Sequence, residues 1–222
     1  SITIDLAEIV APGKVTGIDI EPAQIEIAKS MQSKRNVMNV RFEVGDINKL
    51  PFSEESFDAV FVHGVVEYLK DPVHVFKEIY RVLTKDGILG ARHADYGGFL
   101  LAPENRDVEL FMELFGRLMA HKGGDLHCGR NQAAYIRKAG FTHIKQSASY
   151  DCWTTTPENT QKIANYMAGY IISPEFSQPI IDLNWADKKT MERISAAWRE
   201  WGKNRDAFAA EAWGEAVAWK NL

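Results

Sequence analysis

Val15-Thr16-Gly17-Ile18-Asp19, followed about two dozen residues later by Glu43-Val44-Gly45-Asp46-Ile47, decides how this chain is read. Each stretch is a short, largely apolar run that ends in a carboxylate. Together they read as two parallel strands whose C-terminal tips present Asp19 and Asp46 to one crevice. In an open α/β sheet, ligands bind outside the carboxyl ends of the strands. An acid at the first tip suits a ribose diol, because a carboxylate accepts both hydroxyl hydrogens. An acid at the next suits an exocyclic amine, which needs an acceptor. The pair therefore suggests an adenosine-containing cofactor. Each residue also has a plainer reading, since Asp favours turns and Gly-Asp is common turn chemistry. The pairing of the two acids, and Pro22 just after the first, favour the site.

Working outward, residues 2–10 read as the latter part of a helix with Ile2, Leu6, Ile9 and Val10 on one stripe, ended by Pro12-Gly13. Pro22 opens a second helix with Ala23, Ile27 and Met31 inside. Residues 39–44 alternate as a strand, and Phe57 to Val62 is nearly all apolar, as a central parallel strand is. Asp71 caps a helix whose stripe is Val73, Phe76, Ile79, Tyr80 and Leu83. Asp86-Gly87 then turns the chain into a strand that runs to about Ala94. Helices follow from about Glu104 to Lys122 and over 131–139, then a strand from Phe141 to about Trp153. This alternation predicts an α/β, doubly wound sheet. After Pro157 the pattern changes to amphipathic helices over 158–172 and 187–201. The Ala-rich stretch 208–219 could form a helix or a final strand. The strand is preferred, because it lets the chain rejoin the sheet.

The chain has 222 residues, 45% apolar and 25% charged, enough for one domain with an insertion. Net charge is −4 and no Lys/Arg run stands out, so no nucleic-acid partner is expected. No apolar stretch is long enough for a membrane span and none reads as a signal peptide. Cys128 and Cys152 form no C-x-x-C pattern and read as reduced thiols. These features set the expectation of a cytoplasmic protein without membrane insertion. A homodimer is left open.

Gly17-Ile18-Asp19, Val44-Gly45-Asp46, Leu50-Pro51-Phe52, Ser56-Phe57-Asp58 and the run from Glu78 to Gly87 (Glu-Ile-Tyr-Arg-Val-Leu-Thr-Lys-Asp-Gly), in this order and spacing, resemble class I S-adenosylmethionine-dependent methyltransferases. Within that superfamily the chain looks like the ubiquinone/menaquinone-biosynthesis type acting on small molecules. The resemblance covers residues 1 to about 150. It implies a Rossmann-like sheet of order 3-2-1-4-5-7-6 with an antiparallel seventh strand, matched in kind by 208–219. It also implies a cofactor-binding core over 1–156 and 206–222 and a helical lid over 157–205. The resemblance assigns Asp19 to the ribose, Ile20 to packing on the adenine, Asp46 to the adenine amine and the Ile47 amide to a ring nitrogen. Val62-His63-Gly64 would lie beside the methionine part of S-adenosylmethionine and its methyl. One departure stands out: the family's G-x-G-x-G motif does not occur in this sequence. The expectation is that the first strand and its Gly loop are missing from the chain, by removal of N-terminal residues. A non-catalytic binding module of the same fold is the alternative. A nicotinamide dehydrogenase is disfavoured, because neither G-x-G-x-x-G nor a Tyr-x-x-x-Lys pair is found.

The remaining candidates carry less. His63 ends the fourth family strand and reads either as a hydrogen-bonded edge histidine or as a base facing cofactor or substrate. His93, Asp95 and Tyr96 follow the next strand and are expected to reach the crevice, offering a base, an orienting carboxylate and a phenol. His63, His93 and Tyr96 are thus the candidate catalytic residues. His121, Asp125 and His127 flank Gly123-Gly124 but match no ligand spacing, so no metal is expected. Arg130 suits a substrate carboxylate or simply the surface. The aromatics Trp153, Tyr166, Tyr170, Phe176, Trp185, Trp198 and Trp201 are read mainly as core, some lining an apolar pocket. The reaction expected is transfer of a methyl group to a small organic acceptor.

Overall fold

The computed structural model describes residues 2–221. Helix α1 (Ile2–Ile9) leads into strand β1 (Val15–Asp19), helix α2 (Pro22–Arg35) and strand β2 (Val40–Val44). β1 and β2 pair in parallel, Val15 opposite Val40 and Asp19 opposite Val44, as a sheet of their own. Gly17 sits where this unit is tightest: a Cβ there would stand 2.8 Å from the Phe42 ring and the Thr3 methyl.

The larger sheet is built from β3 (Phe57–His63), β4 (Leu83–Ala94), β7 (Phe208–Trp219), β6 (His143–Cys152) and the short β5 (Leu100–Ala102). β3 and β4 are parallel. β7 runs antiparallel to β4, β5 and β6, so its N-terminal end lies at the C-terminal tip of β4. Helices α3 (Pro72–Val82) and α5 (Cys128–Lys138) cover one face, burying Val62, Val75, Phe76, Ile79, Leu89, Ile136 and Phe141. The other face carries Phe61 and Val217, 44% and 41% exposed. Among the described residues no strand pairing joins the two sheets, and β1 and β3 each have one strand partner.

Helix α4 (Arg106–Lys122) packs with α6 (Pro157–Ile171), α7 (Pro174–Asp182) and α8 (Lys188–Trp201) around a second core. Phe111, Phe176, Trp198 and Trp201 are its aromatic centre, with Phe111 and Trp198 edge to face at 5.7 Å. The expectation that the aromatics from Trp153 to Trp201 are mainly core holds for Phe176, Trp198 and Trp201, whereas Tyr166 is 71% exposed.

Several local readings change. In α1 the buried residues are Ile4 and Ala7, while Ile9 is 78% exposed. The helix packs its Ile4 side on Val37 and Val40, and the stripe expected to be inside faces away. In α2 the buried residue is Ile25, with Ile27 exposed. In α3, Val75 and Val82 join Phe76 and Ile79 inside. Asp71 caps this helix as expected, accepting from the His74 amide at 2.9 Å. Asp86-Gly87 does not break the chain: β4 starts directly at Leu83, and the register jumps from Phe57↔Leu83 to Ala59↔Ile88, so the turn residues become a bulge. α7 and β5 are additions to the sequence reading. β7 spans the residues expected of the final strand.

Candidate functional site

The two acids that opened the reading sit on neighbouring tips. The Gly45 amide donates to the Asp19 carbonyl at 3.0 Å, which ties the ends of β1 and β2 together. Asp19 Oδ1 accepts from the Glu21 amide at 2.8 Å, and Asp46 Oδ1 accepts from the Asn48 amide at 2.8 Å. These local turns fix both carboxylates and leave each Oδ2 for a ligand. Ile20, 62% exposed, stands next to Asp19, and Ile47 packs into the main core below.

At the tip of β3, the His63 ring stacks on Trp213 at 4.7 Å. Gly64 follows with φ +63°, a left-handed conformation that glycine takes without strain. Burial, then the nearby Arg92 guanidinium, lower the His63 pKa, so the ring is neutral at pH 7. Its Nδ1 is buried without a partner among the described residues.

His93 does not reach the crevice. It is fully buried, with Nδ1 2.9 Å from Glu67 Oε2. A carboxylate can only accept, so Nδ1 carries the proton. The alternation of β4 explains the correction: Leu89, Ala91 and His93 all point into the face covered by helices. Glu67 also accepts from the Ala94 amide at 3.3 Å, so this buried pair pins the 3₁₀ turn Val66–Tyr68 to the tip of β4.

That turn places Tyr68 against Tyr96, their hydroxyls 2.7 Å apart. Tyr96 in turn packs on Phe115 of α4 at 5.0 Å. Burial and the neighbouring phenol push the Tyr96 pKa well up, and burial raises Tyr68, so both remain protonated, one hydroxyl donating to the other. Asp95 is not an orienting group for His93. Arg130 grips it through Nε and Nη2, each at 2.6 Å, and the Arg130 amide adds a third bond at 3.1 Å. Burial works against ionisation, but Arg130 outweighs it and holds Asp95 below its ordinary range. The Arg130 guanidinium, read as suiting a substrate carboxylate or simply the surface, is paired with Asp95. Asp125 likewise accepts from Asn131 and Tyr135.

A residue outside the sequence reading completes the cluster. Glu211, near the start of β7, lies opposite Asp151 of β6. Arg92 pairs with Asp151 at 3.0 Å and with Glu215 at 3.3 Å, and Glu211 has no ion pair among the described residues. Burial, then Asp151, push its pKa up to about 7.

Residues 1–168 match the family model described as a methyltransferase domain. The chain belongs to this methyltransferase family. An uncharacterised methyltransferase of Schizosaccharomyces pombe is 27% identical over 210 residues, covering 90% of the chain and 74% of that protein. The demethylmenaquinone methyltransferase of Lactococcus lactis is 40% identical over 86 residues, covering 38% of the chain and 34% of that enzyme. The chain thus spans about a third of the length of this second relative. The crystal structure of Bacillus subtilis YcgJ superposes with a TM-score of 0.58 at 19% identity, over 94% of the chain and 83% of that protein. The fold is that of class I S-adenosylmethionine-dependent methyltransferases, and the chain is an enzyme of this type.

The methyltransferase's own residues fit the adenosine half of S-adenosylmethionine. Two carboxylates fixed by local turns on adjacent tips, with an exposed apolar side chain beside the first, match a diol, an amine and a flat ring. Sequence reading placed both acids at strand tips because each ends an apolar run. It missed Glu67 and Tyr68, which follow the strand in a short turn. It missed Glu211 because one acid among Phe208-Ala-Ala-Glu-Ala-Trp213 has no telling spacing.

Proposed function

We propose that this methyltransferase transfers a methyl group to a small organic acceptor held at the strand tips, between the sheet and the helical segment 157–205. The observation that carries the reading is the pair Asp19 and Asp46 on adjoining tips. S-adenosylmethionine, when bound, supplies a methyl already activated on a sulfonium. Asp19 then accepts from the ribose hydroxyls, and Ile20 covers the adenine. Asp46 accepts from the adenine amine and the Ile47 amide donates to the ring. His63 stands at the methionine side, while the side chain of Val62, expected there too, points to the opposite face of β3 and is buried under α3 and α5.

The chain's remaining work is to align the acceptor and exclude water. The Tyr68–Tyr96 pair, kept protonated, has one O–H left to donate to the acceptor. His63, neutral and stacked on Trp213, presents an uncharged ring to the acceptor. His93 acts from below by holding Glu67 and with it Tyr68. The segment 157–205 is the lid in this reading, because α6 and α8 share a core with α4, on which Tyr96 rests. No described helix is long and apolar enough to cross a membrane. The unpaired Cys128 and Cys152 support a cytoplasmic setting.

Calorimetric titration of S-adenosylhomocysteine tests the assignment. Asp19→Ala and Asp46→Ala should each weaken binding by about 1.5–3 kcal/mol, roughly ten- to a hundredfold, as loss of a hydrogen bond to a charged group does. Affinity equal to the parent chain in both variants would sink it.

A further inference from the structure

Glu211 differs from the acids around it. Glu211 of β7 lies opposite Asp151 of β6, Glu215 lies further along β7, and Arg92 pairs with Asp151 and Glu215. Glu215 also accepts from Ser147 and Ser149 at 2.7 and 2.6 Å. Glu211 is partly buried with neither a cation nor a hydroxyl of this kind. The Asp95 amide, donating to the Ala212 carbonyl at 2.9 Å, locks this end of β7 beside the turn that carries Tyr96. Tyr96 follows Asp95 and Glu211 precedes Ala212, so the two residues flank this one hydrogen bond. Beyond the phenols stand Phe115 and Tyr170 of the helical core.

We propose that Glu211 is the proton acceptor of the methyl-acceptor subsite, and that this subsite takes a neutral molecule with a dissociable O–H or N–H, oriented by the Tyr68–Tyr96 pair. The inference rests on the methyl-transfer reading and names its substrate class. The X–H bond of the acceptor breaks and the proton passes to a Glu211 carboxylate oxygen. The electron pair left on oxygen or nitrogen would form the new bond to the methyl carbon as the S–CH₃ bond of the bound sulfonium breaks, its pair staying on sulfur, which leaves as a neutral thioether. Glu211 then returns the proton to water. A carboxylate acceptor is disfavoured, because Glu67 below and Asp151 across the strand already add negative charge, offset by Arg92 alone. The Trp153 indole is the remaining polar neighbour and favours the ionised form. Burial and these charges bring Glu211 to about 7, where a carboxylate is a better base than at its ordinary 4.5.

Carbon NMR of chain labelled at glutamate carboxyls reads this without turnover, the Glu211 resonance being the one lost in Glu211→Gln. Expected is a midpoint near 7 that phenol lowers, with a moved resonance, and that benzoate at equal concentration leaves in place. An ordinary glutamate midpoint, no response to phenol, or an equal response to benzoate would overturn the proposal. A response to benzylammonium alone would make this a cation site and overturn it too. Glu211→Asp removes the same resonance from the glutamate-labelled spectrum and supplies the assignment if Glu211→Gln does not fold. Parallel titration with S-adenosylhomocysteine separates the two readings. Binding of it with a silent Glu211 defeats this inference alone, and a responsive Glu211 without it defeats the methyl-transfer reading.

Discussion

Glu211 sets an unusual sign on stability against pH. Its carboxyl is raised from an ordinary 4.5 to about 7. Below pH 4.5 the group is protonated in folded and unfolded chains alike, and its contribution is complete. Between 4.5 and 7 the unfolded chain sheds the proton first, so stability falls as pH rises, and above 7 the loss levels off. Partial exposure tempers the size to about 2 kcal/mol. Glu211→Gln removes the effect. Thermal unfolding should show the variant more stable than the parent by about 4–8 °C at pH 8 and equal to it at pH 4. A parent as stable as the variant at pH 8 would show that Glu211 ionises freely. Asp19 and Asp46 were legible in the sequence because an acid that closes an apolar run announces a strand tip. Glu211 becomes distinctive through Asp151 and Tyr96, neighbours that only pairing of β6, β7 and β4 supplies.

Elements meet most closely where α5 crosses β7. A Cβ on Gly214 would stand 2.0 Å from the Gly129 carbonyl, backbone against backbone, so neither side can yield. Gly214→Ala should lower stability by about 3 kcal/mol in urea unfolding, at the upper end of overpacking costs. Gly169, within α6, has nothing within 4 Å of the same position. Gly169→Ala should raise stability by up to about 1 kcal/mol through helix propensity. Equal effects of the two substitutions would contradict the close approach. Elements of sufficient length were legible from period and caps. β7 was readable because an Ala-rich run had a place waiting at the sheet. β5 has three residues and α7 carries Pro179 in its interior, so neither offers a full period. The faces of α1 and α2 were misread for a different reason. Both helices carry apolar residues on more than one side, and only the partner decides which is covered.

In the whole molecule, residues 2–44 form a unit with its own small core of Ile4, Ala7, Val37 and Val40. Ile18 packs onto the main core, and no strand pairing among the described residues ties β1 to β3. Cooperative protection follows buried contacts and hydrogen-bonded neighbours, so this unit should open at lower free energy than the sheet of β3, β4, β7 and β6. Native-state hydrogen exchange should therefore find β1 and β2 amides exchanging faster than those of β4 and β7. Asp19 ends β1 of the first unit and Asp46 lies just past β2, whereas His63, Tyr96 and Glu211 belong to the second. A ligand that binds only the docked arrangement stabilises it by mass action. S-adenosylhomocysteine should accordingly slow exchange across β1 and β2 more than across β7. Equal slowing everywhere would mean that the two units already open together, and that the cofactor adds stability without joining them.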